Sequence, residues 1–287
     1  MSLILSLLAA AFYSVSSALL SRTLKKRENV NTMPFETGHT AANDTNVENP
    51  TEYIRQLHRL SLVSAAIALV LHGWIVINQT GLPSGLTLPL FTSVSVTTLI
   101  IVLLHIVLCL RQPADYLGLA VYPLAAVSLL VSQTSGGGTP IVGAAVQIHV
   151  LLSLVSYGIL TLAAAQAGLV AVQRHFLATH KPVGFMRALP ALDTTERLLF
   201  TLLTAGFVFL SLSLLSGFIY LDNMFDQRLV HKTLLSCIGW GIFAILLVGR
   251  WQFGWRGKKA VHWTLGGFAI LIVAYFGTKL VIEIMLD

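Results

Sequence analysis

Charged residues are scarce in this chain of 287 residues, at 10%, while hydrophobic residues make up 55%. A soluble globular domain has about 25% charged residues, and the mean hydropathy here is +0.80. The net charge of +6 does not indicate nucleic acid binding, because the basic residues are spread between long apolar runs. The composition therefore excludes a soluble domain and predicts that much of the chain lies in lipid.

Cysteine is also rare, and the chain lacks the common catalytic motifs. Cys109 and Cys237 each lie within an apolar run, which excludes a disulfide framework and a zinc-ligand spacing. There is no P-loop, no Gly-x-Ser-x-Gly and no His-Glu-x-x-His, and we find no pair of carboxylates within the apolar runs. We therefore expect no catalytic residues and a protein that is not an enzyme.

Long apolar runs are what the chain has in abundance. A hydrocarbon core about 30 Å thick requires roughly 20 apolar residues for each helical span. Eight runs meet this length, at residues 3–21, 59–79, 88–110, 115–133, 143–171, 197–221, 231–250 and 262–284. The sequence predicts an all-α fold, a polytopic membrane helix bundle of about eight transmembrane helices that forms a single domain over residues 1–287.

The basic residues predict how these helices are oriented. If the N-terminus is outside, the predicted cytoplasmic loops contain all but three of the 18 Lys and Arg residues, the exceptions being Arg228, Lys232 and Lys279. Because positive residues favour the cytoplasmic side, we expect both termini to be outside, in the periplasm of a bacterial cell whose inner membrane holds the protein. The polar stretch 23–53 has no apolar period and is predicted to be a mobile cytoplasmic loop.

Histidines are the main ionisable residues near or within the spans, where such residues are functional candidates. His72 and His149 are expected at matching depth toward the outer ends of the second and fifth spans, with His231 nearer the surface. Facing imidazoles could bind haem iron or a transition metal. Alternatively, each histidine only hydrogen-bonds a neighbouring helix. His105 and His262 are expected at the cytoplasmic interface.

Several short motifs indicate a family. They are QIHVLLSLVSYG at residues 147–158, LLSGFIY at 214–220, GWRG at 254–257 and AYFG at 274–277. With their order and spacing, these motifs resemble the cytochrome c assembly family of membrane proteins, the haem-handling CcsA and CcmC group. Within this family the chain resembles most the compact bacterial inner-membrane branch called YpjD, with the HemX proteins as neighbours. The resemblance covers residues 55–287.

The resemblance implies a haem-handling role and assigns a haem ligand. In that family the histidine of the first motif is an outer-side haem ligand, and it corresponds to His149. The family's tryptophan-rich loop is replaced by residues 221–230, which contain no Trp, and its second outer histidine has no counterpart after the last span. His72 or His231 would then supply the other ligand.

We therefore expect an accessory membrane protein that binds or passes haem b rather than a cytochrome c synthetase. Its predicted partners are the lipid bilayer and haem, with no nucleic acid and no metal apart from the haem iron. The alternative is a cofactor-free membrane scaffold or transport accessory protein, in which the histidines only tie helices together.

The predicted orientation can be tested with reporter fusions. Alkaline phosphatase fused after Asn43 should be inactive, because four basic residues, Arg22, Lys25, Lys26 and Arg27, precede it and favour the cytoplasm. The same enzyme fused after Asp226, in a predicted outer loop, should be active. An active fusion at Asn43 together with an inactive fusion at Asp226 would show that the orientation is the reverse of the predicted one.

Overall fold

The computed structural model describes residues 2–32, 50–81, 86–136, 140–141, 143–179, 184–220 and 230–277. Nearly all of these residues are helical. The α-helices are α1 (Ser2–Thr32), α2 (Pro50–Thr80), α3 (Leu90–Cys109), α4 (Gly118–Ser132), α5 (Ala144–Ala178), α6 (Gly184–Arg187), α7 (Leu192–Tyr220), α8 (Val230–Phe253) and α9 (Lys258–Ile272). The predicted all-α fold is confirmed.

Short segments of other structure flank these helices. A 3-10 helix at Asp115–Leu117 leads directly into α4, and a π-helical turn at Val273–Gly277 continues α9. Two strands of two residues each, β1 (Leu86–Thr87) and β2 (Pro140–Ile141), pair in antiparallel orientation. Since β1 precedes α3 and β2 precedes α5, this ribbon joins the two connections at one end of the bundle.

Seven described helices are long and apolar enough to cross a membrane: α1, α2, α3, α4 with its preceding 3-10 turn, α5, α7 and α8. The predicted spans coincide with these helices in order. The eighth predicted span, 262–284, begins within α9, which has 15 residues, and its part from residue 278 onward lies outside the described residues. The chain is thus a membrane helix bundle, while the orientation of its termini stays a prediction.

The polar stretch 23–53 differs in part from the predicted loop. Helix α1 continues to Thr32 and α2 already begins at Pro50. Leu24 is only 2% exposed, and the Thr23 hydroxyl donates a hydrogen bond to the Leu19 carbonyl at 2.8 Å. Packing against other helices therefore extends α1 beyond its apolar run. The remaining residues of the predicted mobile loop, 33–49, lie outside the described residues.

The helices pack as two neighbouring groups. Helix α1 lies against α2 and α4, and α3 contacts both α2 and α4. The second group is centred on α5, which packs most extensively against α7 and also contacts α9, while α8 contacts α7 and α9. The contact between α3 and α5 joins the groups, and one hydrophobic core runs through both. This division places the predicted histidines in different surroundings.

Small residues allow α5 and α7 to approach closely. The Ser156 hydroxyl on α5 donates a hydrogen bond to the Gly206 carbonyl on α7 at 3.1 Å. A Cβ atom added to Gly206 would lie 2.6 Å from Cδ2 of Leu160, a side chain that is 1% exposed. Such contacts are the usual way in which small residues stabilise helix pairs in lipid.

Enlarging Gly206 should therefore separate the two helices. We expect Gly206→Val to lower the free energy of unfolding in detergent by about 1–3 kcal/mol, the usual cost of overpacking. Gly168→Val is the matched control, because a Cβ at Gly168 on α5 would meet no atom within 4 Å. Equal unfolding curves for the two variants would contradict the close packing described here.

Candidate functional site

His149 lies on the second turn of α5 and is held there by α7. Its Nδ1 atom is 2.9 Å from the main-chain carbonyl oxygen of Ser213 and 3.1 Å from the hydroxyl oxygen of Ser216. Because a carbonyl oxygen can only accept, Nδ1 must carry a hydrogen and donate it. In the neutral imidazole the other nitrogen, Nε2, then has a free lone pair.

A small serine cluster fixes this arrangement. The Ser153 hydroxyl donates to the His149 carbonyl at 2.8 Å, and its oxygen is 2.6 Å from the Ser213 hydroxyl oxygen. The Ser216 hydroxyl donates to the same Ser213 carbonyl at 2.7 Å. In the described part of the chain no hydrogen bond involves Nε2 of His149. The ring is therefore oriented with one nitrogen engaged and the other available, as in histidines that ligate metals.

A cavity of about 220 Å³ lies beside this histidine. Residues of α5, α7 and α8 and one residue of the π-helical turn line it: Val146, His149, Val150, Ser153, Tyr157, Leu210, Ser213, Leu214, Lys232, Thr233, Ser236 and Tyr275. The Tyr157 hydroxyl donates to the Leu271 carbonyl at 3.2 Å. The Nζ atom of Lys232 lies 4.6 Å from the centre of the Tyr275 ring. The cavity thus combines apolar walls with one cation and one imidazole.

His72 occupies a different cluster, between α1, α2 and α3. It is fully buried, its Nδ1 is 3.1 Å from the Tyr13 hydroxyl, and its Nε2 is 2.9 Å from the Ser95 hydroxyl. Both ring nitrogens therefore have partners. His72 does not line the cavity beside His149, so the structure does not bring the two histidines together there. A ligand role for His72 stays a prediction and would require one of these hydrogen bonds to break.

His231 is the second residue of α8, and its side chain lies outside what the structure describes. The next residue, Lys232, lines the cavity. His231 directly precedes this residue on α8, and its ligand role also stays a prediction.

The sequence reasoning missed the residues that complete the cavity. In the sequence, Lys232 is one of three basic residues outside the predicted cytoplasmic loops, and Tyr275 is part of a family motif. Neither carried a signal for the cavity, because a lysine at the end of an apolar run usually extends its ammonium group to the membrane interface.

A second polar cluster, which the sequence also did not reveal, lies at the opposite end of the bundle. Asp115 is 4% exposed, and its carboxylate is 2.9 Å from Nη2 of Arg27 and 3.4 Å from Nδ1 of His58. His105 was expected at the interface, but it is fully buried. Its Nε2 is 3.3 Å from the Ala114 carbonyl oxygen, because the turn between α3 and α4 folds over it. His262 is exposed, and its location at the cytoplasmic interface stays a prediction.

The Asp115 cluster yields a stability prediction. Asp115→Asn should lower the free energy of unfolding by up to about 3 kcal/mol, because the guanidinium group of Arg27 then loses its carboxylate partner in a largely buried setting. The control is Asp193→Asn, whose ion pair with Arg197 is largely exposed and should contribute less than about 1 kcal/mol. Denaturant unfolding in detergent measures both. A larger loss of stability for Asp193→Asn than for Asp115→Asn would contradict the stabilising role of the Asp115 cluster.

Comparison with known proteins gives one family. The family model described as "Cytochrome C assembly protein" matches residues 60–286. The protein named "Inner membrane protein YpjD" of Escherichia coli (strain K12) is 32% identical over 237 residues, which cover 79% of this chain and 88% of that protein.

More distant relatives match shorter regions. "Cytochrome c biogenesis protein CcsA" of Prochlorococcus marinus (strain NATL1A) is 29% identical over 102 residues, 35% of this chain and 31% of that protein. "Protein HemX" of Brevibacillus brevis is 25% identical over 131 residues, 45% of this chain and 48% of that protein. No solved structure matches. The resemblance seen in the sequence motifs is therefore confirmed.

Proposed function

Because the chain belongs to the cytochrome c assembly protein family, we propose that it binds haem b through His149 and handles it as an accessory protein of a bacterial inner membrane. The proposal depends on the hydrogen bonding of the His149 ring, which determines its tautomer. Nδ1 donates to the Ser213 carbonyl, which leaves a lone pair on Nε2, and His149 lines a cavity. This is the tautomer that an axial haem ligand requires.

The ligand groups of the described residues fit haem better than a bare metal ion. No group of three or more His, Cys, Asp or Glu side chains among the described residues could hold an ion. A porphyrin supplies the equatorial ligands of its own iron, so one or two protein ligands are enough. The single oriented imidazole at this cavity suits that chemistry.

The size of the cavity favours an open mode of binding. Pockets that enclose drug-sized ligands have volumes of about 300–1,000 Å³, whereas this one has about 220 Å³. We therefore expect the described residues to enclose only part of the macrocycle, on the side that His149 would ligate. The rest of the macrocycle would lie outside this cavity. Such partial enclosure suits a protein that passes haem on.

The second axial ligand is proposed to be His231. The side chains of its helical neighbours Lys232 and Thr233 line the cavity, whereas His72 already uses both of its ring nitrogens. His72 instead behaves as the cofactor-free alternative describes, since it connects helices through hydrogen bonds. An accessory role rather than a synthetase role is favoured because residues 221–230 contain no tryptophan, unlike the corresponding loop that the resemblance implies for haem-presenting members.

The test is haem binding by the purified protein. Titration of the detergent-solubilised chain with haem should produce a Soret band of a histidine-ligated iron, and a pyridine haemochrome assay should identify haem b. His149→Ala should abolish this band or weaken binding at least tenfold. His231→Ala should shift the spectrum with a smaller loss of affinity, since His149 remains.

Two control variants separate ligation from packing. His262→Ala should bind like the wild type, because His262 is exposed and bonds only within its own helix, to the Lys258 carbonyl. His72→Ala should lower stability and leave the Soret band in place. An unchanged Soret band in His149→Ala, or no binding by the wild type, would leave the cofactor-free scaffold as the function.

A further inference from the structure

Lys232 is the unusual feature of the cavity beside His149. It lies in the first turn of α8, is partly buried, and shares the cavity wall with valine, leucine and tyrosine side chains. A cation in such surroundings is costly unless an anion or an aromatic face compensates it. Its presence therefore requires a physical explanation.

The described contacts of Lys232 supply only part of that compensation. Its Nζ atom lies 4.6 Å from the centre of the Tyr275 ring, a cation–π contact. The described ion pairs join Arg27, Arg174 and Arg197 to carboxylates, and none of the described carboxylates pairs with Lys232. The ammonium group retains donors that an anion in the cavity could accept.

The presence of Lys232 and His149 at one cavity limits which anionic ligands could contact both residues. Both residues line the same cavity of about 220 Å³, one from α8 and the other from α5. A ligand that contacts both would offer the imidazole a metal centre or a hydrogen-bond donor, and would offer the ammonium group an anion, on an otherwise apolar body. Haem has this character, because two carboxylates project from the edge of its ring.

We propose that Lys232 is the carboxylate-binding residue of this cavity, where its ammonium group pairs with a propionate of the haem that His149 ligates. This rests on the proposed function and adds specificity to it. The pair selects tetrapyrroles with free carboxylates over uncharged macrocycles, and Tyr275 holds the lysine side chain in position. The propionate edge of the ring is thereby oriented toward the start of α8.

The experiment compares haem with haem dimethyl ester, in which both carboxylates are neutral. The wild type should bind haem at least tenfold more tightly than the ester, since charge-assisted hydrogen bonds contribute about 1.5–3 kcal/mol and 1.4 kcal/mol corresponds to about tenfold. Lys232→Met should bind haem about 10- to 100-fold more weakly and bind the ester as the wild type does. Lys232→Arg should largely retain the preference for haem.

A matched control is available at the other end of the bundle. Lys259 also lies over an aromatic ring, 5.3 Å from the centre of Trp255, but it does not line the cavity. Lys259→Met should leave both affinities unchanged. Thermal unfolding of the haem-free variants shows whether Lys232→Met preserves the fold.

The outcomes distinguish this inference from the function on which it rests. If the wild type binds neither haem nor the ester, the proposed function fails and the inference fails with it. If the wild type binds both with equal affinity, or if Lys232→Met weakens both to the same extent, haem binding stands. In that case Lys232 has only a structural role, and the inference is overturned.

Discussion

The hydrogen bond from Nδ1 of His149 to the Ser213 carbonyl acts on both the packing and the chemistry of the bundle. It ties the beginning of α5 to the last turns of α7, with the serine hydroxyls around it bridging the same two helices. It also determines which ring nitrogen keeps its lone pair, because the carbonyl cannot donate. The remaining walls of the cavity come from α8, which contacts α7, and from the π-helical turn that continues α9.

The surroundings of His72 and His149 show how the hydrogen-bond partners of an imidazole ring decide its role. His72 lies between two hydroxyl groups, so each of its nitrogens has a partner. Among the described residues His149 has partners at Nδ1 only, and it lines a cavity. In an apolar medium an unsatisfied polar group is costly. The hydrogen bonds at both nitrogens of His72 therefore stabilise the protein without a ligand. At His149, the nitrogen without a described partner favours binding of a ligand.

The fold could largely be predicted because lipid imposes a simple rule, that apolar runs of sufficient length become helices. The same rule gives no information about which helices become neighbours. His149 was found from its motif and its depth, but the Ser213 carbonyl is 64 residues away in the sequence, and its role arises only when α5 meets α7. The burial of His105 was not predicted, because the turn that covers it at Ala114 has no apolar signature. Lys232 and Tyr275 likewise meet only through the packing of α8 against the turn after α9.

The charged residues at the two ends of the bundle differ in whether a charge of opposite sign lies beside them. At one end, Asp115 lies within reach of both Arg27 and His58, so charges of opposite sign compensate each other within the protein. At the other end, Lys232 has an aromatic ring beneath it and no described carboxylate as a partner. A compensated cluster stabilises the helices without needing any ligand. An ammonium group that has no carboxylate partner among the described residues is electrostatically complementary to an anion. Because Lys232 and His149 line the same cavity, we propose that this end of the bundle binds the ligand.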